Sequence, residues 1–329
     1  MTVKRFDAAS WLDSPLSRRR MDLSRFVEER ATVADICARV MTEGDQALRD
    51  LGKRFDGWAP GPAESFEVPK PELKSALDRL APADRSALEF AARRIREFHE
   101  RQVQAAAVGS PDRPKSSWWP MQVRDPTSSP RTSRRIAGPT EVVVVADAGA
   151  RPDFVAADLA AQLEHDPLAW GVLITDSPQL ADRVDEELES LLLGLERAAI
   201  IRQATCCVIV ADDMDQALSL ANDFAPEHLL IVAADAERLA AQVRNAGAVF
   251  VGAYATVPLG DYAAGPNHTL PTSGAARFAS PLGVYTFLKR TSVLSLNRGD
   301  LETLREASVR LAEMEGLGAH AHAIEVRLE

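Results

Sequence analysis

The sequence predicts an α/β fold with a mostly parallel sheet covered by helices on both faces. Three observations carry this. The run EVVVVAD, Glu141–Asp147, is continuous and β-branched, as a strand buried on both faces requires. From there to Gly252, apolar runs of this kind alternate with helical segments, the pattern of a doubly covered sheet. The chain has 329 residues, 46% hydrophobic and 26% charged, which suits a soluble globular protein with two domains or one large core with appendages.

Taken in order, residues 21–105 read as helical. Phe26, Val33, Ile36, Cys37, Val40 and Leu48 recur at helical spacing, and Pro82 opens a further helix carrying Leu88, Ala91, Ile95 and Phe98. His99 stands among Arg94, Arg96, Glu97, Glu100 and Arg101 and reads as a surface or cap histidine. Residues 109–135 hold five prolines and six serines and read as an irregular connector, pinned to a core by Trp118 and Trp119. Strands are then predicted at 141–147, 170–176, 206–212, 228–233 and 248–252. The helices between them are predicted at 152–165, 178–193, 214–224 and 235–246. Such a sheet is expected to receive its ligand beyond the carboxyl ends of its strands. The stretch GDYAAGPNHTLPT, Gly260–Thr272, is expected to be a loop presenting Asp261, Tyr262, Asn267 and His268. Gly260, Gly265, Pro266 and Pro271 oppose a regular helix or a central strand there. Residues 299–329 read as one helix, with Leu301, Leu304, Ala307, Leu311 and Met314 on its apolar side, followed by a tail.

Charge and composition narrow the function. The net charge is −10, and Arg18–Arg20 and Arg131–Arg135 are short clusters rather than a basic stripe, so no nucleic-acid partner is expected. No run of about eighteen apolar residues exists, so no membrane span is expected. The N-terminus lacks the apolar core of a signal peptide, and Cys37, Cys206 and Cys207 make no disulfide framework. A cytoplasmic location is the expectation. Neither GxGxxG nor GxxxxGK[ST] occurs, so the common nucleotide phosphate loops are absent.

The candidate chemistry sits at element ends. Gln162 and His165 are three apart, on one face of a helix end. Glu227 and His228 adjoin, Asp261 and His268 share the glycine-rich stretch, and Glu315 precedes His320. His165, Asp261 and His320 with the Gln162 oxygen would make a nitrogen–oxygen set for a borderline cation such as zinc, open to substrate. Set against this, the residues follow no spacing rule, and solvated histidines are the plain alternative. Glu227 and His228 could serve as general base and acid, or simply cap one element and start the next.

Eight stretches in order resemble the histidinol dehydrogenase family: AGPTEVVVVAD, RPDFVAADLAAQLEHDP, ITDS, ANDFAPEHLLI, RNAGAVFVGAY, LGDYAAGPNHTLPT, GVYTFLKRTSV and EGLGAHAHAI. RFDGW, FHERQ and SWWP are similar to the family's N-terminal part. The resemblance implies zinc held by Gln162, His165, Asp261 and His320, an acid–base pair Glu227 and His228, and substrate contacts at Thr140, His268 and Glu315. A serine is usual at the Thr140 position. It further implies a homodimer of intertwined chains in which Glu315 and His320 act in trans.

One departure stands out. Where the family carries a second α/β unit that grips NAD, this chain has Arg124–Ile136, about a dozen residues against the ~30 that a βαβ unit needs. Zn2+ is therefore expected and NAD is not. The expected layout is an N-terminal arm at 1–20, the helical part of the main domain at 21–123 and a connector at 124–136. A Rossmann-like α/β main domain follows at 137–290, then a helical tail at 291–329 exchanged with the partner chain. The expected activity is zinc-assisted acid–base chemistry on a small polar substrate bearing an amine or imidazole: hydrolysis, cyclisation, elimination or isomerisation. An NAD oxidoreductase and a non-catalytic metal-binding dimer are the alternatives.

Overall fold

The computed structural model describes residues 1–17, 27–61, 64–107, 138–288 and 294–329. Phe26, Trp118, Trp119, the connector at 124–136 and the arginine clusters at 18–20 and 131–135 lie outside the described residues. The chain divides into two compact units: Met1–Phe98 with Arg134–Leu282, and His99–Ser133 with Gly283–Glu329.

The helices of the first part are α1 (Ala8–Asp13), α2 (Val27–Glu43), α3 (Asp45–Phe55), α4 (Lys70–Asp78) and α5 (Pro82–Ala107). Then come α6 (Pro152–Leu163), α7 (Pro178–Leu192), α8 (Ala198–Ile201), α9 (Met214–Phe224), α10 (Ala236–Ala240) and α11 (Val257–Tyr262), and finally α12 (Arg298–Met314) and α13 (Gly318–Glu325). The first unit holds a six-stranded sheet of β1 (Lys4–Asp7), β2 (Glu141–Ala146), β3 (Trp170–Thr175), β4 (Thr205–Val210), β5 (His228–Val232) and β6 (Ala248–Val251). All pairings are parallel, in the order β1-β4-β3-β2-β5-β6. This is the predicted fold class.

The β-branched run is explained by β2, which is wholly buried. Val142 and Val144 share a core with Leu159 and Leu163 of α6 and Leu188 of α7. Val143 and Val145 share the opposite core with Leu218 of α9, Leu239 and Trp11. Each such side chain contributes about 1.5–3 kcal/mol on burial, so both faces of the strand are stabilising. Pro152 and Pro178 start their helices in the first turn, where a missing N–H costs nothing. Asp213 caps α9, accepting from the Gln216 N–H at 2.7 Å.

Several elements differ from the sequence expectation, among them the unpredicted short helices α1 and α8. β1 was not expected, since Lys-Arg-Phe-Asp has one apolar residue. It is an edge strand on β4, where charge is tolerated, and Phe6 packs against Trp11 at 5.4 Å. The helix expected at 235–246 is helical only over Ala236–Ala240. Buried Asn222 of α9 takes the following backbone, accepting from the Arg244 and Asn245 N–H groups and donating to the Gln242 carbonyl. Asp261, expected on a loop, sits on α11. Pro258 lies in the first turn of that helix, and a Cβ at Gly260 would stand 2.8 Å from the Phe250 ring, so glycine here permits close packing rather than a break. In the second unit the expected tail is a helix. The Leu317 N–H turns back to the Ala312 carbonyl at 2.8 Å, ending α12, and α13 follows.

Candidate active site at the amino edge of the sheet

Parallel strands with crossover helices fix where the candidate residues fall. α6 returns from the carboxyl end of β2 to the amino end of β3, so Gln162 and His165 arrive at the amino edge. Thr140 and Glu141 start β2 there, and Glu227 and His228 start β5 beside them, with Val142 opposite His228. These candidate residues therefore do not lie beyond the carboxyl ends, where a ligand was expected. The polar residues gather at the opposite edge, because each lies at the start of a strand or the end of a returning helix.

The carboxyl edge has a different occupant. Strand order reverses between β2 and β5, the usual crevice of such sheets. There the Asp147 carboxylate accepts from the Gly149 N–H at 2.9 Å and from the Ala234 N–H at 2.6 Å, joining the loops after the two strands.

A chain of hydrogen bonds links the amino-edge residues. Gln162 Nε2 donates to Thr140 Oγ1, and Thr140 Oγ1 donates to Glu227 Oε2 at 2.6 Å. The Glu141 main-chain N–H donates to the same carboxylate oxygen at 3.1 Å. Glu227 Oε1 has no hydrogen-bond partner among the described residues. His228 Nδ1 is 3.2 Å from the Glu141 carbonyl oxygen and 3.5 Å from Glu227 Oε2. Both atoms facing Nδ1 are acceptors, so Nδ1 carries the proton of the neutral ring and Nε2 carries the lone pair. Nε2 is buried and has no hydrogen-bond partner among the described residues.

Burial governs the protonation of this pair. Glu227 and His228 are 7% and 4% exposed. Desolvation pushes the Glu227 carboxyl above its ordinary range, opposed by His228 and by the Thr140 hydroxyl. Desolvation pushes the His228 imidazole below its ordinary value, opposed by Glu227 and Asp261. Asp261 and His165 both act electrostatically on Glu227 and on His228, so these four ionisable groups share one region. The Glu227 shift is toward neutral pH, as a general base requires, while the His228 shift keeps that imidazole in its neutral form.

Backbone geometry holds the pair in place. Buried Ala225 ends α9 in the left-handed conformation, φ 54°, and the chain turns through Pro226 to Glu227. Gly247 packs against the Glu227 carbonyl so tightly that a Cβ there would lie 2.5 Å from the oxygen.

The structure brings together Thr140, Gln162, Glu227 and His228, with His165 and Asp261 in electrostatic reach. His268 lies on the exposed stretch after α11. Glu315 and His320 belong to the second unit, where both line a cleft of about 670 Å³ with Leu311, Leu317 and Ile324. Among the described residues, no three His, Cys, Asp or Glu side chains stand close enough to hold a metal ion. The donor chemistry nevertheless fits zinc in part. Gln162 spends its Nε2 on Thr140 and leaves its amide oxygen as a donor, and His165 and Asp261 both act electrostatically on the Glu227–His228 pair to which that bond leads.

Sequence reasoning missed Glu141, whose main chain serves both Glu227 and His228 and whose Oε1 accepts from the Ser273 N–H at 3.0 Å. Its signal was a carboxylate opening an otherwise apolar run. Asp158 was missed as well. It lies one turn before Gln162 among apolar neighbours and accepts from the Thr256 hydroxyl.

Known proteins identify the family. The family model described as histidinol dehydrogenase matches residues 17–119 and 133–328. The histidinol dehydrogenase of Aquifex aeolicus is 33% identical over 395 aligned positions, covering 91% of this chain and 92% of that protein. The alignment is longer than the chain, so a block of that relative has no counterpart here. The Nitratidesulfovibrio vulgaris histidinol dehydrogenase is 52% identical over 182 residues, 54% of this chain and 42% of that protein. A crystal structure of histidinol dehydrogenase from Elizabethkingia anophelis has the same fold, with a TM-score of 0.78 at 21% identity, covering 100% of this chain and 98% of that one. The matched residues take in every candidate side chain of the amino-edge site, and with them the chain belongs to the histidinol dehydrogenase family, a family of zinc-containing, NAD-dependent oxidoreductases.

Proposed function

We propose that this family member is a zinc enzyme that performs acid–base chemistry on a small polar substrate without transferring hydride to NAD. The observation that carries the reading is a contrast. The Glu227–His228 pair and its hydrogen-bond chain are intact, while the alignment with the Aquifex relative leaves a block of that protein unmatched. By family resemblance that block is the unit that grips NAD. No phosphate-cradling glycine loop in the sequence takes its place.

Gln162, His165 and Asp261 would hold the ion, with His320 supplied by a second copy of the chain together with Glu315. Bound zinc would polarise a substrate oxygen or lower the pKa of water. The rest is done by this chain's own side chains. Glu227 is anchored through Oε2 and offers Oε1 as the base. His228 presents its Nε2 lone pair to a second proton, and Glu227 and the Glu141 carbonyl steady the imidazolium that results. Thr140 links the base to Gln162, so the protonation of Glu227 is coupled to the donor set. Thr140 and His268 would contact an amine- or imidazole-bearing substrate.

A homodimer is part of the proposal. One copy contributes two imidazole or carboxylate donors and an amide in the first unit, and a closed site needs more. Exposed apolar side chains on α2, α4 and α5, among them Val33, Leu73, Leu88 and Ile95, and Met314 on α12 suit burial against another chain.

The alternative, an NAD oxidoreductase, is favoured by the 33% identity across nearly the whole chain. Calorimetric titration of the zinc-loaded protein with NAD, with NADH formation followed in the presence of histidinol, separates the two. The expected outcome is no saturable NAD binding and no NADH. Saturable binding with NADH formation abolished by Glu227→Ala would overturn the proposal in favour of the alternative.

A further inference from the structure

We infer that Asp158 and Thr256 form a register pin that sets Asp261 opposite Gln162 and His165, making both positioning residues for the metal donors. The inference rests on the proposal that those three side chains hold the ion.

α6 and α11 pack against each other. Among the described residues, a side-chain hydrogen bond from Thr256 Oγ1, just before α11, to Asp158 Oδ1 of α6 at 2.5 Å joins them. Asp158 precedes Gln162 by four residues, so the two share one face of α6, and His165 follows two residues past the end of that helix. Thr256 is the residue just before α11, and Asp261 follows five residues later. At ~1.5 Å rise per residue, the climb from Asp158 to Gln162 is about 6 Å, and that from Thr256 to Asp261 about 7.5 Å. Gln162 and Asp261 thus each lie within about one and a half turns of the point where the two elements are hooked together. The common electrostatic action of His165 and Asp261 on Glu227 and His228 agrees with that placement.

Two details say that the bond serves position rather than local helix stability. A threonine before a helix ordinarily accepts from that helix's own N–H groups. Thr256 makes no such cap bond and reaches across to α6 instead. Asp158 is an acidic side chain, 8% exposed, on a helix otherwise lined with Val155, Ala156, Leu159 and Ala160 toward the core. Burial of a carboxyl there is costly and calls for a compensating role.

The test measures zinc affinity by chelator competition on the full-length protein, with circular dichroism as the folding control. Asp158→Ala and Thr256→Val are each expected to weaken zinc binding 10–100-fold, the range for loss of a residue that orients a metal ligand. Because they break the same bond, the double variant is expected to bind no more weakly than the weaker single one. Asp158→Asn keeps the acceptor and is expected to keep the wild-type Kd. His165→Ala is the control for the underlying metal assignment. If His165→Ala weakens zinc binding while Asp158→Ala and Thr256→Val do not, the pin is wrong and the donor set stands. If His165→Ala binds zinc as the wild type does, or the wild type binds none, the donor set is wrong and the pin falls with it. Should Asp158→Ala fail to fold, Thr256→Val alone decides, since it removes the hydroxyl and little else.

Discussion

Replacing Thr140 with valine keeps its shape and deletes one hydroxyl that two neighbours depend on. Gln162, 2% exposed, loses the acceptor of its Nε2, and Glu227 loses one of the two donors to Oε2. Leaving a buried polar group unsatisfied costs about 1–3 kcal/mol, and a hydrogen bond to a charged group contributes a similar amount. The Glu141 N–H still serves Glu227, so the carboxylate is half-compensated. The expected loss in Thr140→Val is thus about 2–4 kcal/mol, a large share of the 5–15 kcal/mol typical of a domain. Equilibrium urea unfolding of the metal-free protein at neutral pH measures it. Thr140→Ser retains the hydroxyl and should stay within about 1 kcal/mol of the wild type. If Thr140→Val is as stable as the wild type, or if serine is as damaging as valine, the hydrogen-bond chain does not hold the site in the way described.

Two further outcomes follow from packing and titration. Gly247→Ala sets a methyl 2.5 Å from the Glu227 carbonyl oxygen, and the required backbone shift should cost about 1–3 kcal/mol in urea unfolding and lower turnover of any substrate found. Desolvation raises the Asp158 carboxyl above its ordinary value, so the folded state holds its proton more tightly than the unfolded chain. That contribution is complete below the unfolded pKa of about 3.9 and is lost as pH rises through the folded pKa. Asp158→Asn should therefore gain stability relative to wild type on going from acid to neutral pH. A difference that does not change with pH would contradict this.

Much of the fold was legible because burial writes itself into composition. β2 is apolar on both faces since helices cover both, and α6, α7 and α9 begin at proline or capping residues visible in the chain. α11 was not legible, because Gly260 reads as a breaker until Phe250 is seen against it. The end of α10 was hidden for a similar reason: Asn222, twenty residues upstream, takes the backbone that would have continued the helix. Site residues could be named from their types and from family resemblance. Their edge was legible too, since predicted strands starting at 141 and 228 and a helix ending at 165 put Thr140, Gln162 and Glu227 at the amino edge of a parallel sheet; the hydrogen bonds that join them were not. Glu141 stayed hidden because its contribution to Glu227 and His228 is made by main-chain atoms, which any residue would supply.

The carboxylate of Asp147 gives the two rims of the sheet opposite characters. The amides of Gly149 and Ala234, which in related architectures would greet a phosphate, already hold an anion that belongs to the chain itself. A nucleotide seeking that mouth would meet this carboxylate as a tethered competitor. Anyone wishing to graft dinucleotide binding onto this scaffold should begin by uncorking that rim, and can do so at a distance from the reacting groups on the other.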